Sequence, residues 1–185
     1  MKPSIMKRLV LSLIASTAFF GAAQAATYQA VILDKSSITF KFKQMGVTSD
    51  GRFKKFSAQV GVDTDKPTEA KGAITIDLSS IDTGSKEADQ EAVGKSWFNV
   101  AAHPSATFVL KDLTPAGAGQ FQARGQLTIK GQTREVVAPI KLSSQGGLTG
   151  SFVIKRADFG IGEGMWAKFD VVANEIVVNF NLSLK

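Results

Sequence analysis

The sequence predicts an all-β fold, an antiparallel barrel of about eight strands with one short helical insertion, and three observations carry that expectation. Apolar and polar residues alternate with period two in run after run from Ser37 to the C-terminus. Turn-forming residues separate the runs. No cysteine occurs among the 185 residues, so no disulfide can pin two facing sheets, which favours a barrel over a disulfide-pinned sandwich.

The runs follow in order. Ile38, Phe40 and Phe42 alternate with Thr39, Lys41 and Lys43, which gives one oily face and one wet face. The pattern returns in Phe56–Val62, in Ile74-Thr75-Ile76-Asp77-Leu78, in Phe121-Gln122-Ala123 and in Leu127–Lys130. It recurs in Val136–Leu142, Leu148–Ile154 and Glu175–Leu184, the last with Ile176, Val178, Phe180, Leu182 and Leu184 on one face. Asp50-Gly51, Asp65-Lys66-Pro67, Pro115–Gly119, Lys130-Gly131 and Gly146-Gly147 read as the turns between them. Pro139 interrupts its run and predicts an edge or bulge. Ser85–Val93 predicts the helix, with Glu87 and Asp89 at its positive end and Gly94 as its stop. A second short helix or 3₁₀ turn is expected over Lys95–Ala102.

The N-terminus reads as an export signal. Lys2, Lys7 and Arg8 precede an uncharged stretch from Leu9 to Gly21, and Ala23-Gln24-Ala25 supplies the small-x-small cleavage pattern. The stretch falls short of the roughly 20 residues that a membrane-spanning helix needs. The expected organisation is therefore a cleaved segment, 1–25, and one domain, 26–185, that is soluble in the periplasm. Cleavage takes three of the 22 basic residues and no acidic one, so a net charge of +6 falls to +3. That excess, without a basic stripe, argues against a nucleic-acid partner.

A closed barrel either fills itself with side chains or encloses one ligand, and alternation alone leaves both readings open. Thirteen phenylalanines against one tyrosine make the aromatic surface dry. Phe40, Phe42, Phe56, Phe108, Phe121, Phe152 and Phe180, joined by Ile74 and Ile76, are candidates to line a tunnel for a hydrocarbon tail. Such a tail offers no hydrogen bonds, so its wall should leave none unpaired. Burying ten methylene equivalents yields on the order of 8 kcal/mol gross. Association costs of roughly 4–15 kcal/mol consume most of that unless the cavity is preformed.

Several segments then point to one family. Phe40–Val47 followed by Gly51–Phe56, Ile81-Asp82-Thr83 with Asp89, Trp97-Phe98-Asn99 with His103–Phe108, Gly125–Thr133 and Arg156–Ile161 resemble, in order, the segments of the YceI-like proteins. The resemblance implies a lipocalin-like barrel, exported to the periplasm, that holds a polyisoprenoid or related long-chain lipid, with homodimers among its members. An isoprenoid or fatty lipid, such as one with a quinone tail, is the implied ligand. Gln44 stands where many members have histidine, and Ala88 and Glu91 stand where arginine and histidine are common. If those family residues touch a head group, this chain uses others.

The remaining candidates are local. Trp97, Phe98 and Trp166, beside Gly162 and Gly164, are candidates for a mouth or lid. Lys41, Lys43, Arg52, Lys54 and Lys55 suit transient contact with an anionic membrane, or simply a solvated strand face. His103 is the only histidine, so no metal site and no cofactor is expected. Arg156 and Asp158 suggest an ion pair at a strand end or ligand mouth. The sequence lacks a G-x-S-x-G elbow, and nothing in it draws two carboxylates to a shared buried site, so no enzyme is expected. The alternative function is a filled barrel acting as an envelope interaction or stress-response module without a lipid.

Overall fold

The structure, a computed structural model, describes residues 26–185. The export segment expected over 1–25 lies outside the described residues. Eleven strands form one antiparallel sheet in the order β1-β4-β5-β7-β8-β9-β10-β11-β2-β3-β6. They are β1 (Thr27–Tyr28), β2 (Ser37–Gln44), β3 (Val47–Phe53), β4 (Phe56–Asp63), β5 (Lys71–Asp77) and β6 (Ile81–Asp82). After the helix α1 (Lys86–Val93) come β7 (Ser105–Gly117), β8 (Gln120–Ile129), β9 (Gln132–Leu142), β10 (Gly147–Lys155) and β11 (Glu175–Ser183). Among the described residues no helix is long and apolar enough to cross a membrane.

The sheet curls into a half-barrel whose free edges are stitched by short segments. β3 and β4 follow one another in the chain, yet no ladder joins them. β6 crosses to pair with the end of β3, Arg52 opposite Asp82 and Phe53 opposite Ile81. Lys54 N–H donates to the Ser80 carbonyl at 3.0 Å, and Asp77 N–H to that of Lys55 at 3.1 Å. At the opposite end β1 pairs with β4, and Val31 bridges to Leu184. β1 and β6 are only two residues long, so nine full strands build the wall.

Alternation places side chains as expected: Lys41 and Lys43 are exposed, while Ile38, Phe40 and Phe42 turn inward. The turns differ in places. Asp50-Gly51 is no turn: both residues lie in β3, Gly51 opposite Phe40. The hairpin reverses instead at Met45-Gly46, both at positive φ (49° and 82°), the conformation a tight two-residue hairpin turn demands. Lys130-Gly131 does the same between β8 and β9. β7 runs through Pro115 to Gly117, with register shifts on the way. Pro139 sits inside β9 just before the short β9–β10 ladder begins at Ile140, where no second neighbour needs its missing N–H. The helix starts at the expected place, Ser85 capping it by accepting from Ala88 N–H at 3.3 Å. Lys95–Ala102 forms a chain of turns and no helix, because Asn99 adopts φ 50°, outside the helical region.

Two apolar clusters sit at the two ends. Tyr28, Val62, Leu142, Leu148, Leu182 and Leu184 close the end stitched by β1. Leu78, Ala106, Ile129, Phe159 and Ile161 occupy the other, with Trp97 and Phe98 packed on them.

Candidate ligand cavity

The inner face does not close on itself. It surrounds a cavity of about 590 Å³ that extends between the two clusters and is lined almost wholly by apolar side chains. This volume lies within the ~300–1,000 Å³ of small-molecule sites. Phe40, Phe42, Phe108, Phe152 and Phe180 point inward yet are only half-buried. A filled core would have covered them completely.

Glycines explain how so many rings leave room. A Cβ on Gly51 would stand 2.3 Å from Phe40 Cζ, one on Gly125 2.3 Å from Phe108 Cζ, and one on Gly150 2.4 Å from Phe180 Cζ. Gly51 and Phe40, like Gly150 and Phe180, are opposite one another across a ladder. Each ring therefore lies down over a neighbouring strand's bare backbone instead of standing into the lumen.

Of the residues nominated from the sequence, Phe40, Phe42, Ile74, Ile76, Phe108, Phe121, Phe152 and Phe180 all line this cavity from strands. Trp97 and Phe98 line it from the turns after α1, and Trp166 from the 3₁₀ turn Gly164–Trp166. Phe56 does not. It shares a face of β4 with Val60 and Val62, but it stands at the unlaced β3–β4 seam and lines a second hollow with Phe53, Lys54 and Lys55. Phe53, Leu110 and Val178 also line the cavity and were not nominated. The face shared by Ile176, Val178 and Phe180 carried the signal for Val178, whereas Asp50-Gly51 read as a turn hid Phe53.

One end of the cavity is polar. Gln44, Thr83, Ser85, Glu87 and Glu91 line it there, beside Ala88. The three departures from the family pattern, Gln44, Ala88 and Glu91, thus converge on the same site. Its own backbone N–H and the Ser85 hydroxyl hold the Glu87 carboxyl below the usual carboxylate range. Trp166 Nε1–H donates to Glu91 Oε1 at 2.8 Å, which ties the 164–166 turn to α1. The Trp97 and Trp166 rings lie 5.5 Å apart, and the buried Trp97 Nε1–H has no partner among the described residues.

Arg156 corrects the expected ion pair. Its side chain is 1% exposed and meets no carboxylate, while Asp158 stays exposed. The guanidinium donates instead to six main-chain carbonyls. Nε–H bonds Ala173 O, Nη1–H bonds Ile161 O and Gly162 O, and Nη2–H bonds Trp166 O, Lys168 O and Val172 O, all within 3.3 Å. It also stacks over Trp97 at 5.3 Å and Phe169 at 5.1 Å. Burial pulls its pKa below the ordinary arginine value. Arg156 is thus the spool around which 161–173 is wound, and this loop carries Trp166 to the cavity.

The basic hairpin cluster is partly neutralised. Lys41 pairs with Asp50 at 2.6 Å, and Arg52 donates to Asp82 through Nε and Nη2 at 3.1 and 2.9 Å. Among the described residues no three His, Asp or Glu side chains gather as metal ligands.

Comparison with known proteins agrees with this geometry. The family model of the YceI-like domain matches residues 30–184. A UPF0312 protein of Pseudomonas aeruginosa is 31% identical over 173 residues, covering 85% of this chain and 88% of its own. The crystal structure of Burkholderia cenocepacia BcnA superposes with a TM-score of 0.79 at 39% identity, over 82% of this chain and 98% of that one. A polyisoprenoid-binding domain from Saccharophagus degradans, implicated in plant cell wall breakdown, shares the fold at 17% identity. Its TM-score is 0.64, over 85% of this chain and 97% of that one.

Proposed function

This chain belongs to the YceI-like family, and from that premise we propose that it is a non-catalytic periplasmic carrier that shelters the tail of a long-chain isoprenoid in its cavity. The observation that carries the reading is the preformed space of about 590 Å³ walled by half-buried phenylalanines. A void built before the ligand arrives spares the ordering cost that would cancel the gain of about 0.8 kcal/mol per buried methylene. The polyisoprenoid-binding neighbour supports the same ligand class. Export by the 1–25 segment belongs to this proposal.

The polar end sharpens the ligand class. Glu87 and Glu91 line it, whereas of the two cations in the wall Arg156 is already spent on carbonyls and Lys71 lies on β5 opposite Gly61, at the end stitched by β1. An anionic head group would meet like charge there with no unpaired cation in the wall beside it, since Lys43 and Lys168 stand outside, on the rim. The head is therefore uncharged, as in a quinone, and a prenyl phosphate or fatty acid is disfavoured. Native mass spectrometry of protein purified from a bacterial periplasm should show a retained neutral prenyl lipid. After delipidation, a long-chain quinone should reload at least about tenfold more tightly than a prenyl phosphate of equal tail length, a difference of 1.4 kcal/mol. Protein that emerges empty and reloads neither lipid would overturn the carrier and favour a ligand-free interaction module.

A further inference from the structure

We infer that the rim of the cavity is a bilayer-docking surface, formed by the β2–β3 hairpin tip and the 165–171 segment. This rests on the lipid-carrier reading and extends it to the route by which a ligand enters. Of the nine large apolar residues exposed among the described ones, five fall in these two segments: Met45, Val47, Met165, Phe169 and Val171. Met45 and Met165 are 76% and 85% exposed, more than any other large apolar residue described.

The two segments are one surface. Met45 N–H donates to the Val171 carbonyl at 2.8 Å, Ala173 N–H to that of Lys43 at 2.9 Å, and Gln44 bridges to Val172. Arg156 gathers the carbonyls of Trp166, Lys168 and Val172 on a single nitrogen. Gln44, Trp166 and Val172 line the cavity, so the exposed patch and the apolar interior meet across these residues. A hydrocarbon chain leaving a bilayer here passes from lipid to protein without crossing water.

Area and charge select the occupant. Five such side chains present the few hundred Å² of a functional apolar patch. A standard protein interface takes about 800 Å² from each partner, more than these five side chains supply by themselves. Lys43 and Lys168 flank the patch with no carboxylate partner among the described residues, against one exposed carboxylate within it, Asp170, whose Oδ1 accepts from the Val171 N–H. They suit anionic head groups beside an apolar wedge.

Flotation with vesicles of phosphatidylethanolamine and phosphatidylglycerol tests this. The wild-type protein should bind, and Met165→Ser with Phe169→Ser should lower partitioning about tenfold or more. Lys43→Gln with Lys168→Gln should lower it about threefold on these vesicles and leave binding to phosphatidylcholine unchanged. Val137→Ser with Val153→Ser, exposed apolar residues outside both segments, should bind as wild type does. The inference is overturned if the wild type does not float, if M165S/F169S floats equally well, or if sedimentation shows a dimer that M165S/F169S dissolves. Lipid retained by all variants in native mass spectra would keep the carrier reading standing while the docking surface falls. Empty wild-type protein that still floats would do the reverse.

Discussion

Arg156 holds its charge in the interior with carbonyls alone. A lysine keeps the charge but not the planar fork, so it cannot reach six acceptors spread over 161–173. Arg156→Lys should lower the unfolding free energy by about 2–4 kcal/mol, read as a shift in urea midpoint at unchanged slope. A smaller pair secures the same region: Lys130 Nζ donates to Glu163 Oε2 and to the Gly160 carbonyl, both at 2.6 Å. That hydrogen bond holds the Glu163 carboxyl below its ordinary value of 4.5. Because the folded pKa is depressed, the stabilisation is complete above 4.5 and is lost as pH falls through the lower folded value. The melting temperatures of wild type and Glu163→Gln should therefore differ at neutral pH and converge in acid. Neither role was legible in the sequence. Arg156 beside Asp158 looked like an ion pair because spacing reports proximity along the chain, whereas its acceptors are backbone atoms, which every residue carries.

At the scale of strands, the pairing of a ring with a glycine on the next strand decides whether the lumen stays open. At Gly51 the three atoms nearest an added Cβ all belong to the Phe40 ring, which can turn aside, so Gly51→Ala should fold at a cost of about 1–3 kcal/mol and swing the phenyl inward. Titration with a prenyl quinone should then show affinity about tenfold weaker, and unaltered affinity would refute the account. At Gly125 an added Cβ would also stand 2.7 Å from the Val109 carbonyl oxygen, which is backbone and cannot step aside. Gly125→Ala should accordingly lose more stability than Gly51→Ala in the same melts. Alternation made the strands and their inward faces legible, since a period of two fixes direction. It placed Gly51 in a turn because Asp-Gly is a common turn pair, and only the register with Phe40 reveals its other use. Phe56 shows the same limit: its parity along β4 is correct, but parity does not say where the sheet leaves a gap.

For the molecule as a whole, the cavity links ligand to stability. Ligand at a hundred times its dissociation constant should add about 2.7 kcal/mol to the unfolding free energy. In a domain of this size that raises the melting temperature by roughly 5–10 °C, which calorimetry on delipidated and reloaded protein would register. The family segments, spread across the chain, made this architecture legible at a distance; the open interior was not, because alternation does not measure how far facing walls stand apart. That distance is governed by the seam between β3 and β4. In a barrel laced all the way round, strand number and stagger fix the radius. Here the circumference has a slit held by a few bonds at its ends, so the wall can widen along its length with every ladder bond intact. Such a vessel should discriminate among guests by how long they are far more sharply than by how thick.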